Sequence, residues 1–133
     1  MAETVTKPAR VSARRKRILV VDDEQCVVDV IKEHFCERYE VDAALSASRA
    51  VELYQQHRPD VVFLDLNIPG VDGLTLLAFL RKVDPAVPVI IVTANTQASL
   101  AAQVLKAGAF GNVPKPFNLV YMDHLAAAAA GHS

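Results

Sequence analysis

Five side chains able to do joint chemistry stand directly after short apolar runs. Asp22 and Asp23 follow Ile18-Leu19-Val20-Val21, and Asp65 follows Val61-Val62-Phe63-Leu64. Thr93 follows Val89-Ile90-Ile91-Val92, and Lys115 follows Val113-Pro114. Like carboxylates held close together either raise their pKa values or recruit a cation. The three aspartates bring three negative charges and Lys115 returns one positive charge, so a divalent cation makes the set neutral. Oxygen donors completed by water suit Mg2+, with Mn2+ as the alternative, and the lack of His or Cys at these positions weighs against zinc. A cation beside a free carboxylate and a lysine is equipment for handling phosphoryl groups.

The residue types divide the work. A carboxylate can attack phosphorus and form an acyl phosphate. Asp65 is the candidate nucleophile because it stands alone before the turn Asn67-Ile68-Pro69-Gly70, whereas the paired Asp22 and Asp23 suit the metal. Lys115 supplies a mobile point charge for a phosphoryl oxygen. Thr93 supplies a short hydroxyl donor to another.

Such residues must be brought together by the fold, and the pattern says how. Strands are predicted at 17–21, 39–43, 60–64, 87–92 and 109–113, rich in β-branched residues. Three of these runs are nearly all apolar, as parallel strands buried on both faces require. Between them lie helical stripes: Val27, Ile31 and Phe35; Ala47, Val51 and Tyr54; Leu74, Leu77 and Leu80; Leu100, Val104 and Leu105; and a last helix over 119–130. Pro59, Pro85 and Pro88 precede or open strands, Ser46 and Ser48 are candidate caps for the second helix, and Gly108 is placed to end the fourth. Five strand-then-helix units imply right-handed crossovers and a parallel sheet covered on both faces. Ligands of such sheets bind beyond the carboxyl ends of the strands. All five side chains fall there.

Composition bounds the remainder. With 133 residues, 52% hydrophobic and 22% charged, the chain has room for one domain with a real core, and collagen-like, disordered and disulfide-scaffold readings are excluded. No apolar run approaches the length of a membrane span, and no signal-peptide pattern opens the sequence. Two cysteines build neither a metal cluster nor a disulfide framework, so a reducing, cytoplasmic setting is expected. Residues 1–17 hold six basic side chains against Glu3, a net +5, leaving −6 on residues 18–133. The division expected is a basic, disordered arm over 1–16, a folded domain over 17–130, and a tail or cloning remnant over 131–133. An acidic body repels nucleic-acid phosphates, so the arm alone is a candidate for such contacts.

Four segments together carry a family resemblance. Ile18-Leu19-Val20-Val21-Asp22-Asp23-Glu24, Val62-to-Gly73, Ile90-Ile91-Val92-Thr93-Ala94 and Val113-Pro114-Lys115-Pro116-Phe117 occur in order, over roughly residues 17–125. In this the chain resembles a receiver domain of a bacterial two-component response regulator, of the chemotaxis-regulator type. The resemblance implies a three-layer αβα, flavodoxin-like fold with five parallel strands in the order 2-1-3-4-5. It implies a signalling switch, not a turnover enzyme, phosphorylated at Asp65 by a histidine kinase or a histidine phosphotransfer protein. It further implies direct Mg2+ ligation by Asp23, Asp65 and the backbone carbonyl of Asn67, with Asp22 orienting the metal's waters. Thr93 becomes the switch hydroxyl, Lys115 the salt-bridge partner of the phosphoryl group, and the Lys115–Pro116 peptide is expected cis. Output domains or self-association are expected to use the fourth helix, fifth strand and last helix, where Ala98, Leu100, Ala101, Ala102, Val104 and Leu105 leave few charges. With no room for a DNA-binding domain after residue 125, the chain is expected to be a stand-alone receiver or a piece of a longer regulator.

One position departs from the pattern. Receivers usually carry an aromatic three residues before the lysine, and here that residue is Asn112. Phe110 lies two positions earlier, on the same face by strand alternation, and is the candidate substitute. A dehalogenase-type phosphatase is the enzymatic alternative, but Asp65-Leu66-Asn67 lacks its second acid; a partner-binding pseudo-receiver is the third reading. No Gly-rich loop follows the first strand, against nucleotide binding. Asp22 and Asp23 can also serve the start of the first helix. Asp72-Gly73 reads as turn and cap, His34, His57, His124 and His132 as surface residues, and Cys26 and Cys36 as core or part-buried thiols.

Overall fold

In a computed structural model of the chain, residues 15–94 and 98–131 are described. Five strands alternate with five helices. They are β1 (Arg17–Val21), α1 (Gln25–Phe35), β2 (Glu40–Ala44), α2 (Ala47–Gln56), β3 (Val61–Leu64), α3 (Gly73–Val83), β4 (Val89–Thr93), α4 (Ala98–Lys106), β5 (Gly111–Pro114) and α5 (Leu119–Gly131). The strands form one sheet in the order β2-β1-β3-β4-β5, every neighbouring pair parallel. This is the doubly wound 2-1-3-4-5 topology, with its strand-order reversal between β1 and β3.

The sheet divides two apolar layers. Leu19, Val21, Val62, Leu64, Ile91 and Val104 belong to the layer under α2, α3 and α4. Ile18, Val20, Phe63, Ile90, Val92 and Val113 belong to the layer under α1 and α5. Alternate residues of one strand feed opposite layers, so a central strand must be apolar throughout. All four residues of β3 and all five of β4 are accordingly buried. The alanine run of α5 has the same logic, since Ala126, Ala129 and Ala130 let that helix lie close on the sheet.

Local chemistry sets the ends. The Ser46 hydroxyl accepts from the Arg49 N–H at the start of α2, and Asp72 accepts from Leu74 at the start of α3. The C-terminus of α4 closes in a Schellman arrangement: Ala109 N–H donates to the Val104 carbonyl and Gly108 N–H to that of Leu105. Gly108 there has φ +104°, which an L side chain resists. Residues 107–109 are thereby used to end the helix, and β5 begins at Gly111, later than the run from Ala109 suggested. β4 likewise begins after Pro88, which has no N–H to give.

Three expectations need revision. Cys26 and Cys36 are both exposed, because the buried stripe of α1 is Val28, Ile31 and Phe35. His34 is half-buried, with Nε2 3.0 Å from both carboxylate oxygens of Asp123 on α5. Arg15 and Lys16, assigned to the basic arm, are tied down. Arg15 donates to the carbonyls of Cys36 and Tyr39 and pairs with Glu40, while the Lys16 carbonyl accepts from Glu40 N–H. The arm before Arg15, Gln97 and His132 lie outside the described residues.

Candidate functional site

The site is built where β1, β3, β4 and β5 end together. Asp22 continues β1 by one rung, its N–H donating to the Ala44 carbonyl at 3.1 Å, and Asp65 continues β3 by donating to Val21 at 2.9 Å. Each carboxylate is then fixed by its own turn. Asp22 Oδ1 accepts from Glu24 N–H at 2.9 Å, and Asp65 Oδ1 accepts from Asn67 N–H at 3.0 Å. These Asx-type contacts hold the acids in place through backbone donors. They also occupy Asp22, so α1 starts at Glu24 without a side-chain cap.

Lys115 spans the gap. Its Nζ lies 2.8 Å from Asp22 Oδ2, 3.1 Å from Asp65 Oδ2 and 3.4 Å from Glu24 Oε1. Its position depends on β5 and the turn after it: Lys115 N–H donates to the Thr93 carbonyl at 3.0 Å, and the Lys115–Pro116 peptide is cis. Asp22 and Asp65 are buried, at 2% and 4% exposure, whereas Asp23 is exposed. Burial pushes the Asp22 carboxyl above its usual range, and neighbouring Asp65 adds to this, although hydrogen bonds from Lys115 and the Glu24 N–H work the other way. For Lys115, burial disfavours the ammonium, but hydrogen bonds to Asp22 and Asp65 outweigh it and drive the pKa upward. Lys115 is therefore a fixed cation held by two buried acids.

One carboxylate oxygen from each of Asp22, Asp23 and Asp65 lies within 4.8 Å of the others. An all-oxygen set of this size fits a hard divalent cation that keeps several waters. A cleft of about 290 Å3 opens beside it, lined by Asp23, Glu24, Asp65, Asn67, Ala94 and Lys115. Thr93 itself is buried at the end of β4. Asn67 is exposed in the loop after β3, and that loop is pinned by a close approach at Gly73. A Cβ on Gly73 would stand 2.4 Å from Leu66 Cα, so only glycine lets α3 start against this backbone. The six residues singled out by sequence thus meet at one edge. Glu24 and Ala94 are additional lining residues; Glu24 was visible as the third acid after β1, and Ala94 as the small residue after Thr93.

Phe110 does not stand in for the aromatic missing at Asn112. It precedes β5, its N–H donates to the Val89 carbonyl at the start of β4, and the residue is 39% exposed. There it lines a groove of about 590 Å3 with Arg58, Arg81, Pro85 and Pro88, at the opposite edge of the sheet. Strand alternation put it on the right face but at the wrong end.

A doubly wound sheet with an acid–lysine cluster beyond its strand ends defines a receiver domain. Residues 18–127 match the family model of the response regulator receiver domain, and the chain belongs to that family. It is similar to chemotaxis protein CheY of Bacillus subtilis (strain 168), at 36% identity over 103 residues, covering 76% of this chain and 86% of that one. It is equally similar, 36% over 104 residues, to regulatory protein AtoC of Escherichia coli (strain K12), covering 77% of this chain and 23% of AtoC. The chain therefore spans most of the first and about a quarter of the second. Among solved structures, the receiver domain of the Francisella response regulator 1452 superposes with a TM-score of 0.81 at 28% identity, covering 89% of this chain and 99% of that one. Receiver domains of this family are signalling switches of two-component systems. Among the described residues, no helix is long and apolar enough to cross a membrane.

Proposed function

We propose that the chain is a phosphoacceptor switch: Asp65 takes a phosphoryl group from the phosphohistidine of a histidine kinase or phosphotransfer protein, in the cytoplasm, in a Mg2+-dependent step. The observation that carries this reading is Lys115 held between Asp22 and Asp65, with three carboxylates converging on one cleft. An Asp65 carboxylate oxygen forms the new P–O bond as the donor's N–P bond breaks, and the leaving imidazole keeps its electron pair and takes a proton. Water later cleaves the acyl phosphate and returns the carboxylate and inorganic phosphate.

The protein's own groups do the positioning. The Asn67 N–H holds Asp65 Oδ1, so the nucleophile meets phosphorus without first being ordered. Asp22, Asp23, Asp65 and the Asn67 carbonyl are the groups that would hold Mg2+, which supplies positive charge against the phosphoryl oxygens. Lys115 exchanges Asp65 for a phosphoryl oxygen while keeping Asp22. Thr93 turns its hydroxyl toward another phosphoryl oxygen, and that preference enlarges the population of an active conformer. Output or self-association runs through the face of α4, β5 and α5, where Leu105, Val120 and Tyr121 are exposed.

Intact mass after incubation with acetyl phosphate tests this. A Mg2+-dependent gain of one phosphoryl group, absent in Asp65→Asn and in chelator, is expected. No gain from any small donor overturns it.

A further inference from the structure

Among the described residues, two buried side-chain polar atoms lack a hydrogen-bond partner: Arg15 Nε, whose guanidinium bonds through its other nitrogens, and Asn112 Oδ1. Asn112 is half-buried as a residue, but its Oδ1 is shielded from water, and a shielded acceptor left unpaired is costly and asks for an explanation. Its surroundings supply one. In the β4–β5 ladder Asn112 pairs with Ile91, and Thr93 pairs with Pro114. Val113 faces the layer under α1 and α5, and Ile91 faces the layer under α2, α3 and α4. By alternation Asn112 and Thr93 therefore share the face covered by α4, as diagonal neighbours on adjacent parallel strands.

We infer that the Asn112 carboxamide is the positioning group that couples Thr93 to α4, unpaired at Oδ1 in the conformation described and hydrogen-bonded to the Thr93 side chain once Asp65 is phosphorylated. The inference rests on the functional reading above. A Thr93 hydroxyl turned to donate to a phosphoryl oxygen still carries acceptor lone pairs on Oγ, and the turn sets the direction in which they point. A carboxamide carries an NH2 donor and an acceptor on either side of one soft torsion. Turning Nδ2 toward Thr93 Oγ moves Oδ1 out of its unpaired position, so the rotation makes a bond and removes a cost in one motion. The β5 backbone and the α4 face above it, where Val104 and Leu100 lie against the same layer, must adjust to that rotation. A polar relay replaces the work an aromatic ring would do by filling volume.

The test compares wild type, Asn112→Leu and Asn112→Gln under acetyl phosphate and Mg2+. Phosphoryl occupancy is read by intact mass, and the response by hydrogen exchange across α4 and β5. Leucine keeps the volume and removes both amide functions; glutamine keeps them on a longer arm and serves as the second variant should leucine repack the strand. The expected result is equal phosphoryl occupancy in all three, with the phosphorylation-induced shift of the α4 equilibrium about fivefold smaller in Asn112→Leu, the factor one ordinary hydrogen bond sets. Asn112→Gln recovers part of the shift. A fully phosphorylated Asn112→Leu with a wild-type α4 response overturns the inference alone. A wild-type chain that takes up no phosphoryl group overturns the functional reading and the inference with it.

Discussion

Asp22 and Asp84 each hydrogen-bond a basic side chain, yet their carboxyls shift in opposite directions. Asp84 caps α3 at the edge opposite the site, where its Oδ2 lies 2.5 Å from both Arg58 Nε and Tyr54 Oη. The Arg58 hydrogen bond holds it below its ordinary range, with Tyr54 and the Ala86 N–H helping against a smaller effect of burial. At Asp22 the order is reversed, and burial outweighs Lys115. Water makes the difference. Arg58 is half-exposed, so its pair with Asp84 is a solvated clamp between α2 and α3, fully satisfied in the folded chain. Asp22 and Asp65 stand together in the sheet's end with one lysine for two charges, an arrangement that stabilises the fold less than it prepares for added positive charge. A structural ion pair is neutral by itself; this cluster is left one charge short.

The largest break in this symmetry comes from removing the cation on each side. Lys115→Met leaves two buried carboxylates uncompensated and is expected to cost about 3 kcal/mol in chelator. Arg58→Met, at a half-exposed pair, is expected to cost no more than about 1 kcal/mol. Urea melts of both variants in chelator check the contrast, and equal losses would show that the two clusters are of one kind. Mg2+ sharpens it further. For wild type, Mg2+ at a hundredfold above its dissociation constant is expected to add about 2.7 kcal/mol. Asp23→Asn, at an exposed position, is expected to fold normally and lose most of that gain in thermal shift, whereas Asp84→Asn keeps it.

Acid separates the clusters by sign. A carboxyl whose folded pKa is depressed adds stability above its unfolded value, and that stability is lost as pH falls through the folded pKa. Asp84, lowered from 3.8, therefore favours folding at neutral pH; that contribution begins to fall as pH approaches 3.8 and is lost only as pH drops through the lower folded pKa. Asp123, lowered from the same value by Arg38 and His34 against its own burial, behaves alike. The difference in stability between wild type and Asp84→Asn, measured from pH 6 down to pH 3, is expected to narrow progressively once the pH falls below about 5. A difference that stays constant with pH would assign it to packing.

The two edges were unequally legible in the sequence. Asp22, Asp23, Asp65, Thr93 and Lys115 each end an apolar run, so once the strands were placed their convergence followed from parallel topology. The clamp of Tyr54, Arg58 and Asp84 joins side chains some thirty residues apart on two helix ends, and no periodicity announces such a contact. Phe110 shows the limit of alternation, which assigns a face without saying where a strand begins; the helix end at Gly108 decided that. Cys26 and Cys36 show the limit of residue type, since their positions on α1 and not their apolar character set their exposure. The unpaired Oδ1 of Asn112 was visible only as a departure, because whether a shielded amide oxygen finds a partner depends on neighbours that the register alone supplies.

The smallest expected effect concerns the two helix starts beside these regions. Ser46 closes the N-terminus of α2 by accepting the Arg49 N–H at 3.2 Å, so Ser46→Ala removes a true cap and is expected to cost about 1 kcal/mol. Glu24 occupies the same place on α1 with no side-chain cap, its carboxylate lying 3.4 Å from Lys115 instead. Glu24→Ala is therefore expected to change stability by well under about 0.5 kcal/mol while altering the Mg2+ affinity of the cleft it lines. Chemical denaturation and Mg2+ titration of the two single variants decide it. A large stability loss at Glu24 with unchanged Mg2+ binding would make that residue part of the helix, and an unchanged stability with altered Mg2+ binding makes it part of the site.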